Sequence, residues 1–167
     1  MKPTKTRQLG SLDPPDRVQH HLEDPMRIAI ASDHAGLAHK TLIIAELIRL
    51  GHQVKDFGTD SDTAVDYPVY IRPAAEAVAR GEYERGIVLG GSGNGENIVA
   101  NRVKGVRCAY CFSVQTAMLG RQHNDANCIA IGQRLVDGET ALAIVRTFLD
   151  TQFEGGRHVR RIELIDA

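Results

Sequence analysis

The chain has 167 residues, a formal net charge of −1 and 43% hydrophobic residues, which fits one domain with a real core. The near-neutral charge excludes a global basic field for nucleic acid or an anionic membrane, so any basic patch is local. There is no tryptophan and only 5% aromatic residues, which disfavours a base-stacking platform, and no apolar run is long enough to span a bilayer.

Residues 1–25 stand apart. They hold four of the six prolines and show little apolar periodicity. They lack the apolar core of a secretory signal. They read as a disordered or loosely attached extension, with Met26 as an alternative start. His20 and His21 offer two adjacent imidazoles, and a solvated tail is the simpler reading of them. A domain is expected over 26–167.

From residue 26 the pattern alternates. "RIAIAS" (27–32) reads as a strand. Residues 35–51 read as a helix with Leu37, Ile44, Leu47 and Ile48 on one side and Gly51 as its stop. Residues 52–58 make a weaker strand, and a polar loop follows. Pro68 starts a helix through about Arg80, stopped by Gly81. "RGIVLGG" (85–91) is the strongest buried-strand candidate, with a short helix after its glycines through about Val103. A strand over 105–112 leads into a helix over 113–124, with Ser113 as N-cap. Residues 126–132 form a fifth strand. Residues 137–151 are amphipathic, with Leu142, Val145, Phe148 and Leu149 on one face. The segment 157–167 reads as a last short helix. Strands alternating with helices predict an α/β fold: a five-stranded parallel sheet covered on both faces. Ligands of such sheets gather at the carboxyl ends of the strands. That draws "SDHAG", "GGSGNGE", "CFSVQ" and "GQR" toward one region.

The glycine loop, Gly90-Gly91-Ser92-Gly93-Asn94-Gly95, follows the third strand. It fails the dinucleotide fingerprint, because the frame from Gly91 puts Glu96 at the third glycine position. It has no G-K-[ST] either, so it is not a P-loop. Glycines let backbone N–H groups converge on an anion, whether a phosphate or a transient enediolate oxygen. Glu96 lies beside that cradle. A carboxylate there either abstracts a proton next to a carbonyl or caps the first helical turn.

Other polar residues have double readings. Asp33 and His34 follow strand one, where an aspartate is commonly an N-cap. His123 and Asn124 end a helix, where a histidine commonly complements the dipole. Arg134 follows strand five. Arg157 and Arg161 lie i, i+4 on one helix face, and two guanidiniums there suit a phosphate dianion or form a solvated basic face. The three cysteines are an odd number and fit a reducing cytosol. Cys108 and Cys111 form C-x-x-C on a strand running into a loop, so they read as structural thiols rather than a redox pair.

Taken together, "IASDHAG", "DYP", "GIVLGGSGNGENIVANRVKGVRCA", "RQHNDANCIAIGQR" and "RHVRRIELI" resemble ribose-5-phosphate isomerase B, within the RpiB/LacA/LacB sugar-phosphate isomerase family. The resemblance runs from about residue 26 to the end. It implies a Rossmann-like α/β/α sandwich, a cytoplasmic homodimer or tetramer with the site at the interface, and no metal or cofactor. The implied reaction interconverts ribose 5-phosphate and ribulose 5-phosphate through a cis-enediol, in the non-oxidative pentose phosphate route. One branch of the family uses a cysteine base immediately before "GSG". That position is Gly90 here, so the chain is similar to the glutamate branch and Glu96 inherits the base. By position, His123 would donate a proton in ring opening, assisted by Asp33 and His34. Ser92 and the amides of Gly91, Gly93 and Gly95 would hold the enediolate, Asn94 would bind substrate beside them, and Asn124 a sugar hydroxyl. Arg134, Arg157 and Arg161 would bind the phosphate. A hexose 6-phosphate isomerase similar to LacA/LacB and a non-catalytic nucleotide-binding module are the competing expectations.

Overall fold

The computed structural model describes residues 25–167. The leader up to residue 24, with its His20–His21 pair, lies outside the described residues. The elements alternate as β1 (Arg27–Ser32), a short 3-10 turn (His34–Gly36), α1 (Leu37–Arg49), β2 (Gln53–Asp56), α2 (Tyr67–Ala79), β3 (Arg85–Gly90), α3 (Asn94–Asn101), β4 (Cys108–Tyr110), α4 (Val114–Asn124), β5 (Cys128–Gly132), α5 (Gly138–Asp150) and α6 (Arg157–Ile165). The strands form one parallel sheet in the order β2-β1-β3-β5-β4.

Successive side chains of a strand face opposite sides of its sheet. Ile28, Ile30, Ile87, Leu89, Ile129 and Ile131 face one layer, against Ile43 and Leu47 of α1, Ala117 of α4, and Ile144 and Phe148 of α5. Ala29, Ala31, Val88, Cys128 and Ala130 face the other, against Ile71, Ala75 and Val78 of α2 and Val99 and Ala100 of α3. Both faces are apolar over the sheet's centre, so β1, β3 and β5 read as near-continuous hydrophobic runs, whereas the edge strand β2 is polar and mostly exposed. The smaller residues on the second face let α2 and α3 lie close to the sheet. This is the expected α/β sandwich. Its punctuation also matches: Gly51 and Gly81 take positive φ of 87° and 73°, and the Ser113 hydroxyl accepts from Thr116 N in a capping box.

Two elements differ from expectation. Strand β4 spans only Cys108–Tyr110 because side chains take donors on either side of it, Thr116 Oγ1 accepting from Phe112 N beyond its end. Asn101 bonds both Cys108 N and Cys108 O, and Asn127 Oδ1 accepts from Arg107 N. On α1, Ile48 is 61% exposed, while Lys40 and Glu46 are buried. Apolar periodicity cannot see a charge that is buried because it is paired. Lys40 donates to both Asp56 oxygens and to Thr59 O, which pins the loop after β2 against α1. Glu46 accepts from Arg49 at 2.7 Å and from Arg146 of α5 at 2.7 Å, tying the two helices together.

The Arg49 hydrogen bond, aided by Arg146, overcomes burial and holds the Glu46 carboxyl down at about 2, from an ordinary 4.5. A depressed carboxylate stabilises the fold above its unfolded value, and the gain is lost as pH falls through the folded one. Glu46→Gln is expected to cost about 1–3 kcal/mol at neutral pH. Urea titrations of both proteins are expected to converge as pH drops from 4.5 to about 2.

Candidate active site

The carboxyl ends of β1, β3 and β5 are neighbours in the sheet. The segments leaving them enclose a cavity of about 370 Å³ lined by Asp33, His34, Ala35, Tyr67, Gly91, Ser92, Gly95, Glu96 and Arg134. Backbone bonds lock the rim. Gln133 N donates to Gly90 O and Arg134 N to Gly91 O, so the turn after β5 is fastened to the glycine loop.

Two glycines of that loop are required by space. A Cβ at Gly90 would land on the Glu96 carboxylate. The acid of α3 thus occupies the place that a side chain at residue 90 would take, and a base cannot stand at both positions. Gly93 has φ 80°, and a Cβ there would meet Gly132 N at 2.9 Å. Gly93 and Asn94 do not line the cavity. Gly93 lets the loop close on β5, and Asn94 opens α3, its N–H 3.3 Å from Ser92 Oγ. Above Gly91 lies the Arg134 guanidinium, 3.1 Å from where a Cβ would be, which brings a cation to the loop.

Glu96 is 4% exposed in the first turn of α3. Helix N-termini favour the carboxylate, whereas burial favours the acid. Burial wins: it pushes the Glu96 carboxyl above its ordinary 4.5, its backbone hydrogen bond pulls the other way, and the nearby Asp33 charge adds to the rise. Asp33 does serve as an N-cap, its Oδ1 accepting from Ala35 N at 2.9 Å and Gly36 N at 3.0 Å. It also lines the cavity, so the two readings of this residue coexist. His34 Nδ1 accepts from Val65 N at 3.3 Å, orienting the ring at the cavity wall.

The remaining expected residues lie elsewhere. A helix following a parallel strand runs back toward the amino end of the sheet. The C-terminal end of α4, with His123 and Asn124, therefore sits at the end opposite the glycine loop, beside the start of β5. The end of α5 returns to the same side, and α6 packs there against α4. A five-residue strand is about 16 Å long, so Glu96 and His123 of one chain are too far apart to touch one small molecule's reacting carbons. On this second side His123 stacks on His158 with ring centroids 4.5 Å apart. Arg157 and Arg161 are exposed on α6. Asn124 lines a separate cavity of about 450 Å³ with Asn101, Arg107 and Asp166.

Sequence reading missed three residues. Tyr67 walls the cavity, and a Cβ on Gly95 would meet its ring at 2.6 Å; "DYP" opening α2 was its only signal. His158 is buried, and burial, then His123, Arg157 and Arg161, hold its pKa down. Glu154 reaches both imidazoles. Of the cysteines, Cys108, Cys111 and Cys128 are all buried and free. Burial pushes Cys111 up to about 12, so it is no nucleophile at neutral pH.

The chain is similar in sequence and fold to known proteins. A family model described as ribose/galactose isomerase matches residues 28–165. Ribose-5-phosphate isomerase B of Escherichia coli K12 is 45% identical over 141 residues, covering 84% of this chain and 95% of its own. The protein of that name from Mycolicibacterium paratuberculosis is 48% identical over 142 residues, covering 84% and 89%. The solved ribose-5-phosphate isomerase B of Clostridium thermocellum superposes with a TM-score of 0.83 at 46% identity, covering 84% of this chain and 95% of that one. The type B enzyme of Trypanosoma brucei gives a TM-score of 0.82 at 39% identity, covering 85% and 97%. With the parallel sheet, the glycine loop and this likeness over most of its length, the chain belongs to the ribose/galactose isomerase family.

Proposed function

We propose that the chain interconverts D-ribose 5-phosphate and D-ribulose 5-phosphate through a cis-enediol with Glu96 as base. The carrying observation is the buried Glu96 carboxylate set against Gly90, in the cavity that Arg134 and the glycine loop also line. Glu96 takes the C2 proton of the open-chain aldose as O1 gains a proton. The enediol then loses its O2 proton while Glu96 returns a proton to C1. Amides of the glycine loop stabilise the intermediate oxygen. The redox change is internal to the sugar, so the chemistry needs no cofactor. His123 supplies the proton that opens the furanose ring. Arg157 and Arg161, with Arg134, bind the phosphate, and that remote binding energy positions the reacting carbons.

The placement of His123, Arg157 and Arg161 at the far end of the sheet supports a homodimer in which a second copy completes each site. Three buried free thiols fit a reducing compartment such as the cytoplasm. Among the described residues no helix is long and apolar enough to cross a membrane.

The test is turnover of ribose 5-phosphate by the purified chain in EDTA, beside a six-carbon sugar phosphate. The family description includes galactose isomerases, which makes the six-carbon comparison the informative one. Faster turnover of the pentose phosphate is expected. Activity on the hexose phosphate alone would keep the mechanism and move the substrate.

A further inference from the structure

We infer that His123, Glu154 and His158 form a binding site for a divalent transition-metal ion of the zinc type. His123 Nε2 and His158 Nε2 lie 3.9 Å and 3.7 Å from Glu154 Oε2, and the three donor atoms all fall within 4.8 Å of one another. Among the described residues this is the one group of three or more such donors that close together. Two imidazoles and a carboxylate are a donor set for zinc with an open fourth position. Ligands of a tetrahedral zinc ion stand roughly 3.4 Å apart, from bond lengths of about 2.0–2.1 Å. The two imidazoles are stacked with their planes 9° apart, so their in-plane Nε2 lone pairs run side by side; binding turns the partly exposed His123 ring out of the stack and closes Glu154 onto the ion.

The surroundings hold the donors in place. Glu154 N donates to Gln122 O at 3.1 Å, which fixes the segment after α5 beside the end of α4. Gly155 and Gly156 take φ 66° and 56°, a turn that L side chains resist. It swings the chain straight into α6 and sets His158 four residues after Glu154. His158 is 5% exposed, whereas His123 and Glu154 reach solvent, so an ion has an entry path. The opposing influence is cationic. Arg157 Nε lies 3.5 Å from His158 Nε2, a long contact that an incoming ion would displace.

The ion is a consequence for activity, not a part of the reaction. It occupies the Nε2 of His123, and so it inhibits an isomerase in which His123 is the ring-opening acid. That consequence rests on the function proposed above; the binding itself does not.

Equilibrium dialysis of the full chain against Zn2+, and the visible spectrum with Co2+ as probe, test the site. The expected result is one ion per chain, with a Co2+ spectrum of tetrahedral nitrogen–oxygen ligation. Glu154→Gln is expected to weaken binding about tenfold or more, or about 1.4 kcal/mol or more, with the circular dichroism of the native fold retained. His158→Ala is expected to abolish the Co2+ spectrum. Binding unchanged in both variants, or lost only in a His20→Ala/His21→Ala protein, overturns the site. Zn2+ inhibition reversed by EDTA supports both site and mechanism. Stoichiometric binding at the cluster without inhibition supports the site and removes His123 from the reaction.

Discussion

Glu96→Gln is expected to lower kcat for ribose 5-phosphate by about 10³–10⁴-fold, with little change in KM. The upper range for a positioned general base applies because no second carboxylate in the cavity has room to replace it. Among the described residues the other acid lining it is Asp33, which already uses Oδ1 to cap the turn that follows. Glutamine keeps the shape that fills the space against Gly90, so the loop should not rearrange. The pH behaviour separates this reading from a structural one. The base must be ionised in the free enzyme, and burial raises the Glu96 carboxyl above 4.5. The acid limb of kcat/KM should therefore sit above that value in the native chain and be missing from the variant's residual activity.

Stability should move in the opposite direction to activity. A group whose folded pKa is raised contributes stability that is present at low pH and lost as pH rises through the folded value. At neutral pH the native chain carries a buried carboxylate, and the glutamine variant does not. The variant should then be at least as resistant to urea as the native chain at pH 7. Its advantage should shrink as pH falls toward 4.5. An equally active variant would reduce Glu96 to a first-turn residue favoured by the helix dipole. The base would then have to be sought among other groups of the cavity.

Two inactive variants are expected to rescue each other. Glu96→Gln damages the end of the sheet that carries the glycine loop. His123→Ala damages the opposite end, at the close of α4. If each site takes Glu96 from one chain and His123 from the other, a mixed two-fold dimer has one site with both defects and one with neither. Random pairing makes half of the dimers mixed, so co-expressed chains should recover about a quarter of native activity. Recovery no greater than that of the separate variants would end the shared-site reading. The experiment needs no partner structure, because complementation reports the geometry directly.

Much of this protein was legible before any coordinates. Short apolar runs and 3.6-residue periodicity are local signals. Gly51, Gly81 and Ser113 marked helix ends that the backbone indeed uses, because a positive φ or a side-chain cap is a requirement of one or two residues. The glycine loop and its glutamate were equally readable, since a loop and the first turn after it are contiguous in the chain. Where local pattern was insufficient, the missing information was pairing. Ile48 looked buried and is exposed, while Lys40 and Glu46 are buried because each is paired, Lys40 with Asp56 and Thr59 O, and Glu46 with Arg49 on its own helix and Arg146 of α5. Strand β4 looked longer because nothing local tells that Asn127 Oδ1 takes Arg107 N before it and Thr116 Oγ1 takes Phe112 N after it.

By itself the sequence determined the α/β class, the order of its elements, and the residue types that make proton abstraction beside a sugar carbonyl possible. Only the tertiary structure decided which of those residues meet. Sheet order brings the ends of β1, β3 and β5 together and so joins Asp33, His34, Glu96 and Arg134. The return of each helix to the amino end of the sheet carries His123, Arg157 and Arg161 away from them, against Glu154 and His158. Which side chains share a volume depends on the path of the whole chain, and that path is set by burying both faces of one sheet at once.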